Sequence, residues 1–127
     1  MVRALATLFS LAALVACVAA DPRIVSYPTN ELLAVGEVDV ITEAIQGYVD
    51  TFKIVPPLQH QKLFPLLDGK NPRHHRFLFI ESFRRNAHGE VVDPWKEPYL
   101  ITKRGKRLTV ESRRIHYTKA VILPTHS

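Results

Sequence analysis

An α+β fold, with one long helix laid across a small, mainly antiparallel sheet, is what this sequence predicts, and two observations carry the prediction. Residues 37–53, "EVDVITEAIQGYVDTFK", place apolar side chains at Val38, Ile41, Ile45, Tyr48, Val49 and Phe52, the three-and-four spacing of a helical stripe. The C-terminal part breaks instead into short runs rich in β-branched and aromatic residues, "YLIT", "RLTVES" and "IHYTKAVIL", with turn formers between them. Elements segregated along a chain in this way bury their apolar faces by stacking helix on sheet. A single modest domain suits 127 residues of which 46% are hydrophobic and 23% charged.

The helix carries Glu37 and Asp39 at its expected start, where the positive end of its dipole favours carboxylates, and Pro56-Pro57 bars its continuation. Gly47 lies inside it, either weakening it or marking a place where a neighbour packs closely. "LQHQKLFPLLDGKNPR" then offers Leu58, Leu63, Phe64, Leu66 and Leu67 for a short helix of one or two turns, kinked or broken at Pro65 and closed at Asp68-Gly69. "RFLFIES" is aromatic and aliphatic between turn residues and predicts a strand. In "KRGK", Gly105 supplies the positive φ of a tight hairpin, and Leu108 and Val110 then share one face of the following strand.

The N-terminal stretch has one cation, Arg3, and then an apolar or small-residue run from Ala4 to Ala20, the layout of a signal peptide over residues 1–20. At 17 residues the run is short of the ~20 that a bilayer-spanning helix needs. Cys17, the only cysteine, ends "LVAC", which resembles a bacterial lipobox and makes Cys17 a lipidation site; "VAA" before Asp21 equally resembles a small-residue cleavage site. Residues 21–36, opening with the proline-bearing "DPRIVSYPTN", read as a linker, residues 37–123 as the domain and 124–127 as a tail. An exported, periplasmic or lipid-anchored protein is expected, and with no cysteine in the domain its fold rests on its core.

Charge is uneven along the chain. Residues 21–83 hold six Lys or Arg against eight Asp or Glu, whereas residues 84–127 hold ten against four. Lys103, Arg104, Lys106, Arg107, Arg113 and Arg114 concentrate the excess and form the expected interaction patch. An anionic membrane surface or an acidic protein fits such a patch, and a solvated hairpin that keeps a sheet edge soluble needs no partner at all. Nucleic acid is not expected, because no aromatic residues interleave with the basic run to stack bases.

The chain's single Trp, a Tyr and two prolines fall within the seven residues "DPWKEPY". Asp93 can accept hydrogen bonds from amides two or three residues on, Pro94 fixes the first turn dihedral, and Trp95 is expected to fold back onto the helix. Pro98 bars helix and sends Tyr99 into the next strand. No second carboxylate or histidine stands at a defined spacing, so Asp93 lacks an acid–base partner and a structural corner is expected.

The order of a helix, a leucine-rich segment with "GKNPR", an aromatic-aliphatic strand, Gly-Glu-x-x-Asp-Pro-Trp-x-x-Pro-Tyr and a hairpin resembles the soluble head of the type II secretion major pseudopilins, of the G type, over residues 38–112. The specific part is Asp93-Pro94-Trp95 with Pro98-Tyr99; Lys96 stands where that family usually has Gly. The resemblance implies a pilin-like head in a non-enzymatic assembly protein of the bacterial envelope, with envelope or secretion-system proteins as partners. Two departures accompany it. The Ala4–Ala20 run has neither the Gly nor the Glu of a pseudopilin leader, and Glu111 is the only acidic residue after Tyr99, too few oxygen ligands for the calcium site of those proteins, so no calcium is expected.

The remaining chemistry is sparse. Six histidines stand at positions 60, 74, 75, 88, 116 and 126, none of them paired at the i, i+4 spacing of a helical zinc site, and surface imidazoles are expected rather than a metal centre. No G-x-S-x-G element or Gly-rich phosphate loop is present, so neither catalytic residues nor a cofactor is expected. Two functional classes follow: a structural or interaction protein, and a small periplasmic binding module with an aromatic pocket near Trp95 and Tyr99.

Overall fold

The computed structural model describes residues 29–124. The leader, Cys17 and the Ala20 cleavage point lie outside the described residues, as does His126. The described part is α+β: a long helix α1 (Asn30–Phe52), a short helix α2 (His60–Leu67), a two-stranded sheet of β1 (Arg84–Arg85) and β2 (Val91–Val92), and a three-stranded sheet of β3 (Leu100–Arg104), β4 (Arg107–Ser112) and β5 (Tyr117–Ile122).

Helix α1 starts at Asn30, earlier than the expected 37, so the end of the expected linker is helical. The reason is a cap: Thr29 Oγ1 accepts from Leu32 N–H at 3.2 Å, satisfying one of the orphan donors of the first turn. Gly36 does not stop the helix, since its flexibility is only a modest penalty inside one. The expected stripe is the buried one. Val38, Ile41 and Ile45 are fully buried, each contributing about 2 kcal/mol by area removed from water, and Tyr48 and Val49 extend the stripe. Lys53, in the left-handed region at φ 59°, ends the helix with its N–H on Val49 O at 2.8 Å.

Helix α2 contains Pro65 and still completes its eight residues, burying His60, Leu63, Phe64 and Leu67 on one side. The "RFLFIES" strand does not form. Phe77 and Leu78 donate their amides to the single carbonyl of Leu67 at the end of α2, Ile80 donates to the Asp68 carboxylate at 3.3 Å, and Ile80–Ser82 close into a 3₁₀ turn. Side-chain packing wins over strand propensity here. The Phe77 ring lies against Gly47, where a Cβ would come within 2.9 Å of it, and edge-on to Tyr48 and Phe52. Gly47 thus marks a close approach.

The main sheet is antiparallel in the order β3-β4-β5 and forms around the expected hairpin, with Gly105 at φ 58°. Register places Ile101, Leu108, Val110 and Val121 on the face covered by α1, which packs on β4 and β5. Leu100, Thr102, Arg104, Arg107, Thr109, Glu111, Thr118 and Ile122 alternate onto the other face. Among the described residues no helix is long and apolar enough to cross a membrane.

Candidate functional site

The Asp93–Tyr99 corner joins β2 to β3. Pro94 opens the turn, Asp93 C=O accepts from Lys96 N–H at 2.9 Å, and Asp93 N–H reaches Glu97 O at 2.8 Å. The Asp93 carboxylate, only 1% exposed, turns inward on its own loop, and Oδ1 accepts from the amides of Trp95 and Glu97, each at 2.9 Å. Both are hydrogen bonds to a charged acceptor, the stronger kind. Pro98 forms a bridge with Val92, and Tyr99 N–H then bonds Val91 O at 3.2 Å, which delivers Tyr99 into the core. Lys96 sits at φ 70°, a conformation that glycine adopts freely and side-chain-bearing residues adopt at a penalty of about 1 kcal/mol or more.

Glu37 ties this corner to the helix. Far from lying at a helix start, it stands two turns inside α1, where its carboxylate accepts from Tyr99 Oη at 2.6 Å and where its two oxygens both accept from Arg84 Nη2, at 2.6 and 2.7 Å. Arg84 Nε also reaches Asp93 O at 3.3 Å. Burial first, and the neighbouring Glu37 carboxylate second, push the Tyr99 phenol well above the usual tyrosine range. A tyrosine that resists ionisation beside a carboxylate already held by arginine is a fastener.

The opposite side of the corner is held by His60. Its Nδ1 accepts from Val91 N–H at 3.0 Å and its Nε2 meets Tyr99 O at 2.8 Å, so the two partners specify the neutral imidazole with hydrogen on Nε2. His60 is only 8% exposed and lies tilted against Phe64, with ring centroids 5.2 Å apart, a correction to the expectation of surface imidazoles. His74, His75, His88 and His116 are exposed as expected. A signal for His60 was present, because it shares the i, i+3, i+4, i+7 stripe of Leu63, Phe64 and Leu67. Among the described residues no three His, Cys, Asp or Glu side chains converge as a metal site would require.

Trp95 and Tyr99 are not brought together. Trp95 is half-buried outside the core cluster rather than folded onto α1, and its ring faces the Arg114 guanidinium at 5.7 Å, while Arg114 also meets Glu97 at 3.8 Å. The Tyr99 ring runs inward to Glu37, and the hollow of about 260 Å³ that Tyr99 borders with His60, Pro98 and Arg113 is not lined by Trp95.

The expected basic patch is divided. Lys103, Arg104, Lys106 and Arg107 are exposed at the β3–β4 hairpin, and Arg113 and Arg114 lie in the β4–β5 turn, at the other end of β4. Six residues of strand separate the two groups by about 20 Å.

An apolar groove that the sequence reading missed runs along the first half of α1. Leu32, Leu33, Gly36 and Val40 on the helix and Phe77, Leu78, Phe79 and Phe83 opposite enclose a volume of about 450 Å³, with Glu37 and Ser82 as its polar lining. Leu32, Leu33, Val40 and Phe79 are four of the six large hydrophobic side chains exposed among the described residues. Such a concentration is the usual mark of a contact surface, whereas scattered exposed leucines mark nothing. It is hidden in the sequence because residues 30–36 read as linker and the Phe77–Phe79 segment as strand. The chain matches no family model, no curated protein and no solved structure.

Proposed function

We propose that this is a non-enzymatic assembly protein of the bacterial envelope, exported by its leader and either tethered through a lipid on Cys17 or released after Ala20. It contacts envelope or secretion-system proteins through the apolar groove of α1. The observation that carries the reading is the division of labour between corner and groove. In the corner Asp93, Tyr99, Glu37, Arg84 and His60 all bond to one another or to backbone. In the groove Leu32, Leu33, Val40 and Phe79 lie open.

The resemblance to pseudopilin heads supports the same class. The left-handed conformation of Lys96 is what a glycine at that point of the Asp-Pro-Trp motif would serve, so the one substitution within the motif sits where backbone geometry favours the residue it replaces. The long helix on a three-stranded antiparallel sheet agrees with the pilin-like architecture that the resemblance implies. Assembly through an apolar groove accounts for a protein whose Asp93–Tyr99 corner is committed to its own hydrogen bonds.

The test is co-purification of the intact protein from its host's envelope, comparing the parent with Leu33→Asp and Phe79→Asp. Recovery of secretion or pilus components by the parent, lost in both variants while the urea midpoint is kept, is the expected result. Equal recovery by all three removes the groove. A small molecule retained on the purified protein, with no protein partner, favours the alternative of a small binding module, with the hollow of His60, Pro98, Tyr99 and Arg113 as its site in place of a pocket shared by Trp95 and Tyr99.

A further inference from the structure

We infer that the hairpin end of the main sheet docks on an anionic lipid surface, with Arg104, Arg107 and Ile122 forming the contact row and Lys106 beside it. Arg104 and Arg107 are direct cross-strand partners, and Ile122 is the partner of Arg107 on the next strand. Register puts all three on the face of the sheet turned away from α1, so they form one row across three strands, about 10 Å long at the usual strand spacing. Two cations placed directly opposite each other repel, and among the described residues neither Arg104 nor Arg107 makes an ion pair. Glu111, on the same face, stands four residues along β4 from Arg107, roughly 13 Å between backbones, and among the described residues it makes no ion pair with either arginine.

Ile122 selects the partner. It is 64% exposed, the most exposed of the large hydrophobic side chains among the described residues, and it sits inside the cationic row. A purely ionic contact with an acidic protein has no use for it. A bilayer interface does, since an apolar side chain inserts at the headgroup boundary while arginines beside it reach the phosphates. The turn end of the sheet is a poorer candidate because Arg114 is already engaged by Glu97 and Trp95. This inference goes beyond the assembly reading and does not depend on it: the row lies on the sheet face opposite the helix, so a protein resting on it keeps the α1 groove free for other contacts.

The experiment is sedimentation of the exported form carrying Cys17→Ser, so that no lipid anchor contributes, with vesicles of phosphatidylcholine alone and with phosphatidylglycerol added, at low and high salt. Binding to the anionic vesicles only, weakened by salt, is expected. Arg104→Glu and Arg107→Glu should each weaken it by about fivefold or more, the equivalent of about 1 kcal/mol per cation near an anionic surface. Ile122→Ser should weaken it with the salt dependence unchanged, and Arg113→Glu at the far end should leave it nearly as it was. Unchanged circular dichroism and urea midpoints show that each variant is folded. Equal binding to neutral vesicles, no vesicle binding at all, or a loss on Arg113→Glu as large as on Arg104→Glu overturns the inference. These outcomes leave the groove test untouched, so the two failures are distinguishable.

Discussion

Tyr99 Oη donates to Glu37 Oε1 at 2.6 Å, fastening the end of the Asp-Pro-Trp corner to the long helix two turns from its start, across 62 residues of chain. Because Arg84 holds the same carboxylate, Glu37 stays satisfied if the phenol is removed. Tyr99→Phe is therefore expected to lower unfolding stability by about 1–2 kcal/mol, without loss of fold, as read from urea denaturation.

Alkaline pH reports on the same bond. The folded phenol titrates above its unfolded value of about 10, so above that pH the unfolded chain gives up a proton that the folded one keeps. The stability that Tyr99 contributes is complete below pH ~10 and is lost as pH rises toward its folded value. Tyr117, whose phenol is raised by its hydrogen bond to Asp39, acts in the same direction. The parent should lose stability steeply above pH ~10 and Tyr99→Phe less steeply; parallel curves would show that Tyr99 is free to ionise in the folded protein.

Asp93→Ala and Asp93→Asn separate charge from geometry. Alanine leaves the Trp95 and Glu97 amides without their acceptor, at an expected loss of about 2–4 kcal/mol, whereas asparagine keeps an acceptor oxygen and should lose about half of that. Thermal and urea unfolding of the pair provide the comparison.

The same substitution at two helical glycines should have opposite signs. Gly36 has open space around its Cβ position, and Gly36→Ala should stabilise by about 0.5–1 kcal/mol through helix propensity. Gly47→Ala gains the same propensity, but its Cβ must displace the Phe77 ring, held between Tyr48, Phe52 and His75, and a net loss of about 1 kcal/mol is expected. Measured urea midpoints on either side of the parent would bear this out.

Lys96→Gly relieves the left-handed backbone at φ 70° and should stabilise by about 0.5–1 kcal/mol, since the penalty removed exceeds the added freedom of the unfolded chain. Destabilisation would mean that the Lys96 side chain contributes more than its backbone strain removes.

Much of the fold was legible because it rests on periodicity. The Val38–Phe52 stripe and the Gly105 hairpin announce themselves through spacing and through one residue's φ. Two kinds of information were not local. The start of α1 depended on Thr29 as a cap, a hydrogen bond that a run of leucines and a glycine did not advertise. The Phe77–Ser82 segment was decided by distant partners, Gly47 on the helix and Asp68 at the end of α2, which override strand propensity. The corner was readable from Asp93 and the prolines. Its fasteners, Glu37 and His60, lie far away in sequence and read locally as a helix-dipole acid and a surface imidazole, because only tertiary packing shows which acid or imidazole a buried loop recruits.

The central claim is that the protein works through the α1 groove, and photo-crosslinking in the native host tests it most directly. A crosslinking residue at Phe79, in the groove, is compared with one at Ile54, equally apolar and 52% exposed but outside it. The expected result is a discrete crosslink from position 79 to an envelope assembly component and none from position 54. Equal or absent crosslinking at both positions would contradict the claim.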